Sequence, residues 1–214
     1  MIAAYKHIIW DWNGTLFNDI DLSVSLINGV LRKRNIAELS VERYRDIFGF
    51  PVKDYYERTG LDFSEESFEE VGKEWMDQYE LHKHECGLSV GAVEVLDKIR
   101  EHGIGQSILS AYSQHTLIEI VEKSGVSEYF SNLVGLDNIY ASSKLGLGKQ
   151  LVEKLGFKEH EVLLIGDTVH DFDVAQGIGA DCVLIASGHQ SIEKLQQCGV
   201  QVFNSLNDLS RAIN

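Results

Sequence analysis

The stretch that most constrains this chain is Asp11-Trp12-Asn13-Gly14-Thr15-Leu16, directly after the apolar run His7-Ile8-Ile9-Trp10. That run is short and β-branched, which predicts a buried strand. An aspartate at the C-terminal end of a parallel strand sits where open α/β sheets bind and process ligands. Gly14 lets the chain turn sharply, and Thr15 offers a hydroxyl directed back at whatever Asp11 holds.

Beyond Leu16 the pattern is helical. Asp19 or Asp21 is placed to cap a helix through Leu22, Leu26, Ile27, Val30 and Leu31. Ser40 marks a second start, before Tyr44, Ile47 and Phe48. Phe48-Gly49-Phe50-Pro51 breaks that helix, and Pro51, the only proline, suits the first turn of a third over Val52-Tyr55-Tyr56. Ser64 is expected to open a fourth, with Glu65 and Glu66 at its positive end, through Phe68, Val71, Trp75, Met76 and Tyr79. About 70 residues thus pass without a convincing strand.

From Gly91 the pattern changes. A helix over Ala92, Val93, Leu96 and Ile99 stops at His102-Gly103. The strand Ser107-Ile108-Leu109 ends at Ser110, and a helix with Ile118 and Val121 runs to Ser124-Gly125. Further strand-like runs cover 132–135, 162–165, 182–185 and 200–203, most of them separated by helical stretches. Strands alternating with helices imply an α/β fold, a parallel sheet with helices on both faces. The helical block then reads as an insertion: a core domain of residues 1–17 and 88–214, and an α-helical cap domain of 18–87.

A second chemical signal is Gly166-Asp167-Thr168-Val169-His170-Asp171, after the run Val162-Leu163-Leu164-Ile165. Its two carboxylates lie four apart, one at a strand end and one in the following helical turn. They can converge on one site, and such hard oxygen ligands suit Mg²⁺. His170 between them is expected to titrate near neutrality, and His189, after Cys182–Ile185, falls on the same sheet edge. His82, His84 and Cys86 have spacing that suits a solvated hinge better than a metal site.

These residues carry a family resemblance. Asp11-Trp12-Asn13-Gly14-Thr15 is similar to the Asp-x-Asp-Gly-Thr motif of haloacid dehalogenase (HAD) superfamily phosphatases, with Asn13 in place of the second aspartate. Ser110 resembles the second motif's Ser/Thr, Lys144 the third motif's lysine with Lys149 as rival, and Asp167 with Asp171 the fourth motif. The helical insert resembles the cap of the phosphoglycolate phosphatase branch, on a Rossmann-like core. The resemblance implies that Asp11 is a phosphoryl-accepting nucleophile. It implies that Asp11, the backbone carbonyl of Asn13, Asp167 and Asp171 hold Mg²⁺. Lys144 would offset negative charge, and Ser110, the N–H of Ala111 and Thr15 would contact the phosphoryl group.

Asn13 hydrogen-bonds but cannot shuttle a proton at neutral pH, and loss of a general acid/base costs ~10²–10⁴-fold. Three outcomes fit: a slow phosphatase of a small phosphomonoester, an enzyme with another proton carrier such as His170, or a protein that binds phosphorylated ligands and barely turns them over. Restoring the carboxylate, Asn13→Asp, is expected to speed poor leaving groups by a few-fold to ~10²-fold. A further alternative resembles phosphonoacetaldehyde hydrolase, which also lacks the second aspartate. Lys53 would then form the Schiff base.

Composition narrows the partners. A formal charge of −14 argues against nucleic acid, whose phosphates would be repelled. No run approaches ~18 apolar residues, so no membrane span is expected. Three cysteines without Cys-x-x-Cys spacing, and an N-terminus without a basic-then-apolar leader, predict a cytoplasmic protein with reduced thiols. The expected partner is a small phosphorylated metabolite, for a monomer or homodimer.

Overall fold

A computed structural model describes residues 2–136 and 143–213. The first apolar run is β1 (His7–Trp10), followed by the short β2 (Phe17–Asn18). Four helices come next: α1 (Ile20–Lys33), α2 (Val41–Ile47), α3 (Val52–Arg58) and α4 (Phe68–His82). β3 (Gly87–Leu88) then pairs antiparallel with β2, so the chain leaves and re-enters the sheet region side by side. The remainder alternates as α5 (Ala92–Glu101), β4 (Gly105–Ser113), α6 (Gln114–Lys123), β5 (Asn132–Leu136), α7 (Lys144–Leu155) and β6 (Val162–Gly166). It closes with α8 (Val169–Gly177), β7 (Asp181–Ile185), α9 (Ile192–Gln196), β8 (Gln201–Phe203) and α10 (Leu206–Ala212).

Six strands form one parallel sheet in the order β5-β4-β1-β6-β7-β8. Alternation along the central strands divides the core. Ile8 and Trp10 of β1, with Leu163 and Ile165 of β6, face a cluster shared with α5, α6 and α10. Ile9, Val162 and Leu164 face the opposite cluster, with Leu151 of α7 and Val174 and Ala175 of α8. A third cluster, among it Val24, Ile27, Leu31, Tyr44, Tyr55 and Val71, joins α1 to α4. The α/β class and the parallel sheet read from the sequence are what the fold shows.

Register decides where the chemistry falls. Trp10 pairs with Ile108 on one side and Ile165 on the other. The residues just beyond these partners, Asp11, Ser110 and Asp167, therefore emerge along one edge of the sheet.

Three local expectations need correction. α4 begins at Phe68, not at Ser64, because Ser67 and Glu70 form a reciprocal capping box, whereas the Ser64 hydroxyl bonds Asp62. Asp19 stands at the N-cap of α1, but its side chain makes no cap bond and is engaged elsewhere. β4 continues past Ser110 to Ser113, with its register to β5 shifting between Leu109 and Ser113. Ser110 thus sits where the regular ladder ends rather than where the strand ends.

Candidate active site

Asp11 follows β1, its backbone N–H bonded to Ile165 O at 2.8 Å. Its Oδ1 accepts from Lys144 Nζ at 2.5 Å, and the same ammonium reaches Asp171 Oδ1 at 2.5 Å. Lys144 is the first residue of α7 and 5% exposed, while Lys149 is exposed further along that helix. The geometry therefore joins Lys144, not Lys149, to the aspartates.

Asp171 is fixed by the helix it starts. Its Oδ2 accepts from Thr168 Oγ1 at 2.6 Å, Thr168 N at 3.0 Å and Asp167 N at 3.2 Å, a reciprocal cap at the N-terminus of α8. Asp167, fully buried, accepts from Thr15 Oγ1 at 2.9 Å and from His189 N at 2.6 Å. Gly188 lets that loop approach, since a Cβ there would collide with the Asp167 carboxylate. Gly14, at φ +76°, has the same role against Asp167 and the His189 ring.

The carboxylates of Asp11, Asp167 and Asp171 lie within 4.8 Å of one another, all buried. Three acids face one ammonium. Burial pushes Asp11 up to about 8, with Asp171 and Asp167 adding to the rise and Lys144 opposing it. Burial likewise raises Asp167 to about 6. Burial also works on Asp171, but Lys144 and Thr168 outweigh it and hold that carboxyl below its usual range. A buried set of hard oxygen donors short of positive charge is the donor chemistry that a divalent cation such as Mg²⁺ satisfies. Asp11 and Asp167 offer themselves as direct ligands. Asp171 is more fully engaged, with Lys144 on Oδ1 and three donors on Oδ2.

Asn13 does not aim its amide at this trio. Its Nδ2 donates to Asp19 Oδ2 at 2.9 Å and to Tyr79 OH at 2.7 Å, and Tyr79 OH donates to the same Oδ2 at 2.8 Å. Asp19 Oδ1 accepts from Gly14 N at 3.0 Å and faces His189 Nε2 at 3.2 Å. Burial would neutralise His189, but Asp19 and Asp167 outweigh it and lift the imidazole to about 9. Burial pushes Asp19 up, and His189, Asn13 and Tyr79 more than reverse that. His189 Nδ1 lies 2.8 Å from Tyr44 OH. This second cluster connects β1, α1, α2, α4 and the loop after β7. Sequence reading placed His189 on this edge but missed Asp19, Tyr44 and Tyr79 as members.

A cavity of about 870 Å³ opens above the trio. Asp11, Asn13, Ser110, Ala111, Lys144, His170, Asp171 and His189 line its floor, and aromatic residues of α2 to α4 line its walls. His170 is half-buried, its basicity lowered by burial, with its ring 4.6 Å from that of Phe50. Two expected substrate contacts sit otherwise. The Thr15 hydroxyl is fully buried and donates to Asp167, so it supports a carboxylate rather than facing the cavity. Lys53 is exposed on α3, its Nζ 5.9 Å from the Phe63 ring centroid and outside the cavity lining. A Schiff base at Lys53 lacks a geometric basis here.

The family model described as haloacid dehalogenase-like hydrolase matches residues 8–185. Phosphoglycolate phosphatase of Rhodobacter capsulatus is 23% identical over 86% of this chain and 85% of its own length. Pyrophosphatase PpaX of Bacillus pumilus is 22% identical over 86% and 84%. A haloacid dehalogenase-like family hydrolase from Streptococcus pneumoniae superposes with a TM-score of 0.83 at 16% identity, over 99% of both chains.

Proposed function

The chain belongs to the haloacid dehalogenase-like hydrolases, and from that membership we propose that it is a Mg²⁺-dependent phosphatase working through an aspartyl-phosphate on Asp11. The observation that carries this reading is the buried Asp11–Lys144–Asp171–Asp167 cluster at the sheet edge, floored into an open cavity. Relatives named phosphatases of phosphoglycolate and as pyrophosphatases support it. The same reading takes residues 1–17 and 88–214 as the catalytic core and 18–87 as a cap. Its substrate is a small phosphorylated metabolite, in a cytoplasmic monomer or homodimer. Three free cysteines, and the absence among the described residues of any helix long and apolar enough to cross a membrane, agree with that setting.

Asp11 supplies the attacking oxygen: an O–P bond forms as the ester P–O bond breaks, and water then releases phosphate from Asp11. Lys144 lowers the repulsion between that carboxylate and an anionic phosphate. Ser110, whose Oγ accepts from Tyr112 N at 3.1 Å, and Ala111 line the floor where phosphoryl oxygens would rest. Asp11, the Asn13 carbonyl, Asp167 and Asp171 would hold Mg²⁺, which when bound would supply the remaining charge neutralisation. Thr15 and His189 N orient Asp167. The Asn13 amide cannot give up a proton at neutral pH, so the leaving oxygen departs without proton transfer from that position.

The test is hydrolysis of p-nitrophenyl phosphate with Mg²⁺ added and then chelated. Metal-independent turnover, or none across a broad panel of phosphoesters, would overturn the reading. A binding protein with little turnover is the second reading, and the engagement of Asn13 with Asp19 and Tyr79 favours it.

A further inference from the structure

We propose that the substrate is an aryl phosphomonoester: one phosphate carried on a bulky, uncharged aromatic body whose ring oxygen is the leaving group. The inference rests on the phosphatase reading above and names its substrate class. Three separate features of the site lead to it.

The first is size and surface. The cavity of about 870 Å³ lies toward the upper end of the roughly 300–1,000 Å³ that encloses drug-sized ligands. Above the acidic floor its walls include Phe48, Phe50, Tyr55, Tyr56, Trp75 and Met76. A two-carbon phosphorylated acid would leave most of this apolar surface wet. Phe50 and Met76 line this cavity and are 41% and 44% exposed, so an apolar ligand body seated there would remove their surface from water. The Tyr55 hydroxyl is buried, with its residue 3% exposed, and has no partner among the described residues.

The second is charge. Besides Lys144 and the two histidines, the cation lining the cavity among the described residues is Lys73, and its Nζ is paired with Asp77 at 2.5 Å. The nearby guanidinium groups serve backbone carbonyls: Arg45 those of Gly188 and Ser187 at 2.9 and 3.0 Å, Arg58 that of Ile47 at 3.1 Å. Glu69, Asp77 and Asp19 add negative charge to the lining. A substrate with a carboxylate or a second phosphate would have only the solvent-exposed Lys73 and the half-buried His170 among the described lining residues above the floor to set against Glu69, Asp77 and Asp19.

The third is the missing proton. Asn13 cannot protonate a leaving oxygen, and its amide is already committed to Asp19 and Tyr79. When Asp11 attacks phosphorus, the electron pair of the breaking P–O bond stays on the departing oxygen. A phenol, like that of tyrosine, has a pKa of about 10, so its oxygen leaves as phenolate and takes a proton from water afterwards. An alkyl alcohol is several units more basic and needs an acid in that step. Water then attacks the phosphorus on Asp11, the Asp11–P bond breaks, and the proton goes to solvent.

The decisive experiment compares kcat/KM of the intact protein with Mg²⁺ for 1-naphthyl phosphate, phenyl phosphate, 2-phosphoglycolate and 2-(1-naphthyl)ethyl phosphate. The naphthyl ester should exceed phenyl phosphate by about ten-fold, from cavity filling. It should exceed the naphthylethyl ester, of similar bulk but with an alkoxide leaving group, by about 10²-fold. Phosphoglycolate turned over as well as naphthyl phosphate, or naphthylethyl as fast as naphthyl, overturns the aryl proposal and leaves the phosphatase reading standing. No turnover of any ester overturns the phosphatase reading, and calorimetry then judges the cavity on its own: (1-naphthyl)methylphosphonate should bind about ten-fold tighter than 3-phosphonopropionate. Equal affinities overturn the proposal. The exposed Phe50→Ala and Met76→Ala variants, which carry little folding risk, should each weaken the naphthyl ligand several-fold more than methylphosphonate. Wild-type binding by both overturns it as well.

Discussion

With its amide 2.9 Å from Asp19 Oδ2, Asn13 occupies a position that a second carboxylate would share badly. Asn13→Asp places two acids side by side, and the new carboxyl pKa rises in the folded state. A raised folded-state pKa means stability that is present at low pH and lost as pH rises through it. Urea unfolding should therefore find the variant weaker by about 1–3 kcal/mol at pH 8 and near wild type only below the ordinary carboxyl value, at about pH 3.5. The turnover gain expected from the sequence is confined to alkyl phosphomonoesters and requires the new side chain to turn away from Asp19. Asp11→Asn should reduce turnover below a few percent with an unchanged far-UV circular dichroism spectrum, because it removes the proposed nucleophile and one of three crowded acids. His189 obeys the same sign rule. Its folded value of about 9 lies above the ordinary one near 6.5, so its contribution is complete below that value and lost as pH rises through 9. The wild-type decline in unfolding free energy from pH 7 to 9 should shrink by ~2–3 kcal/mol in His189→Gln.

Single elements test the local rules. Ser67→Ala removes a reciprocal cap from α4, and denaturant unfolding should register a loss of about 1 kcal/mol. That helix start was misread because Ser64-Glu65-Glu66 looks like a cap followed by acids. Ser67 and Glu70, three apart, satisfy both orphan N–H groups and take the helix start for themselves. β1 and β6 were legible because both are apolar, β-branched and buried on two faces. For the same reason the strand-end aspartates were legible, as was Asp171, which lies on the first turn of the next helix. The Asn13–Asp19–Tyr79–His189 cluster was not. Tyr79 lies 60 residues beyond Asp19, and Tyr79 and His189 each meet Asp19 only through the packing of helices on the sheet edge. No spacing along the chain encodes such a contact. Asp19 itself was visible, yet as a helix cap, because a carboxylate before an apolar helical run has a nearer use in most chains.

At the scale of the molecule, the acidic cluster binds parts of the chain far apart in sequence: Lys144 ties Asp11 to Asp171, and Thr15 meets Asp167. A cation shared by these residues would stabilise the folded state as a whole. Saturating Mg²⁺, at about 100 times its Kd, should raise unfolding free energy by roughly 2.7 kcal/mol, seen as a higher melting temperature. Asp167→Asn should largely abolish the shift. The central place of β1 has a different consequence, for the chain as it is made. Its sheet neighbours are β4 and β6, and the nearer of them starts about 95 residues later. At ~5–20 residues per second, the apolar His7-Ile8-Ile9-Trp10 segment leaves the ribosome and waits roughly 5–20 s for its first partner. The strand that leads into Asp11 is thus an exposed, sticky edge throughout early synthesis. The helices that follow it are complete before that partner emerges, so they are the folded company a nascent chain can offer it.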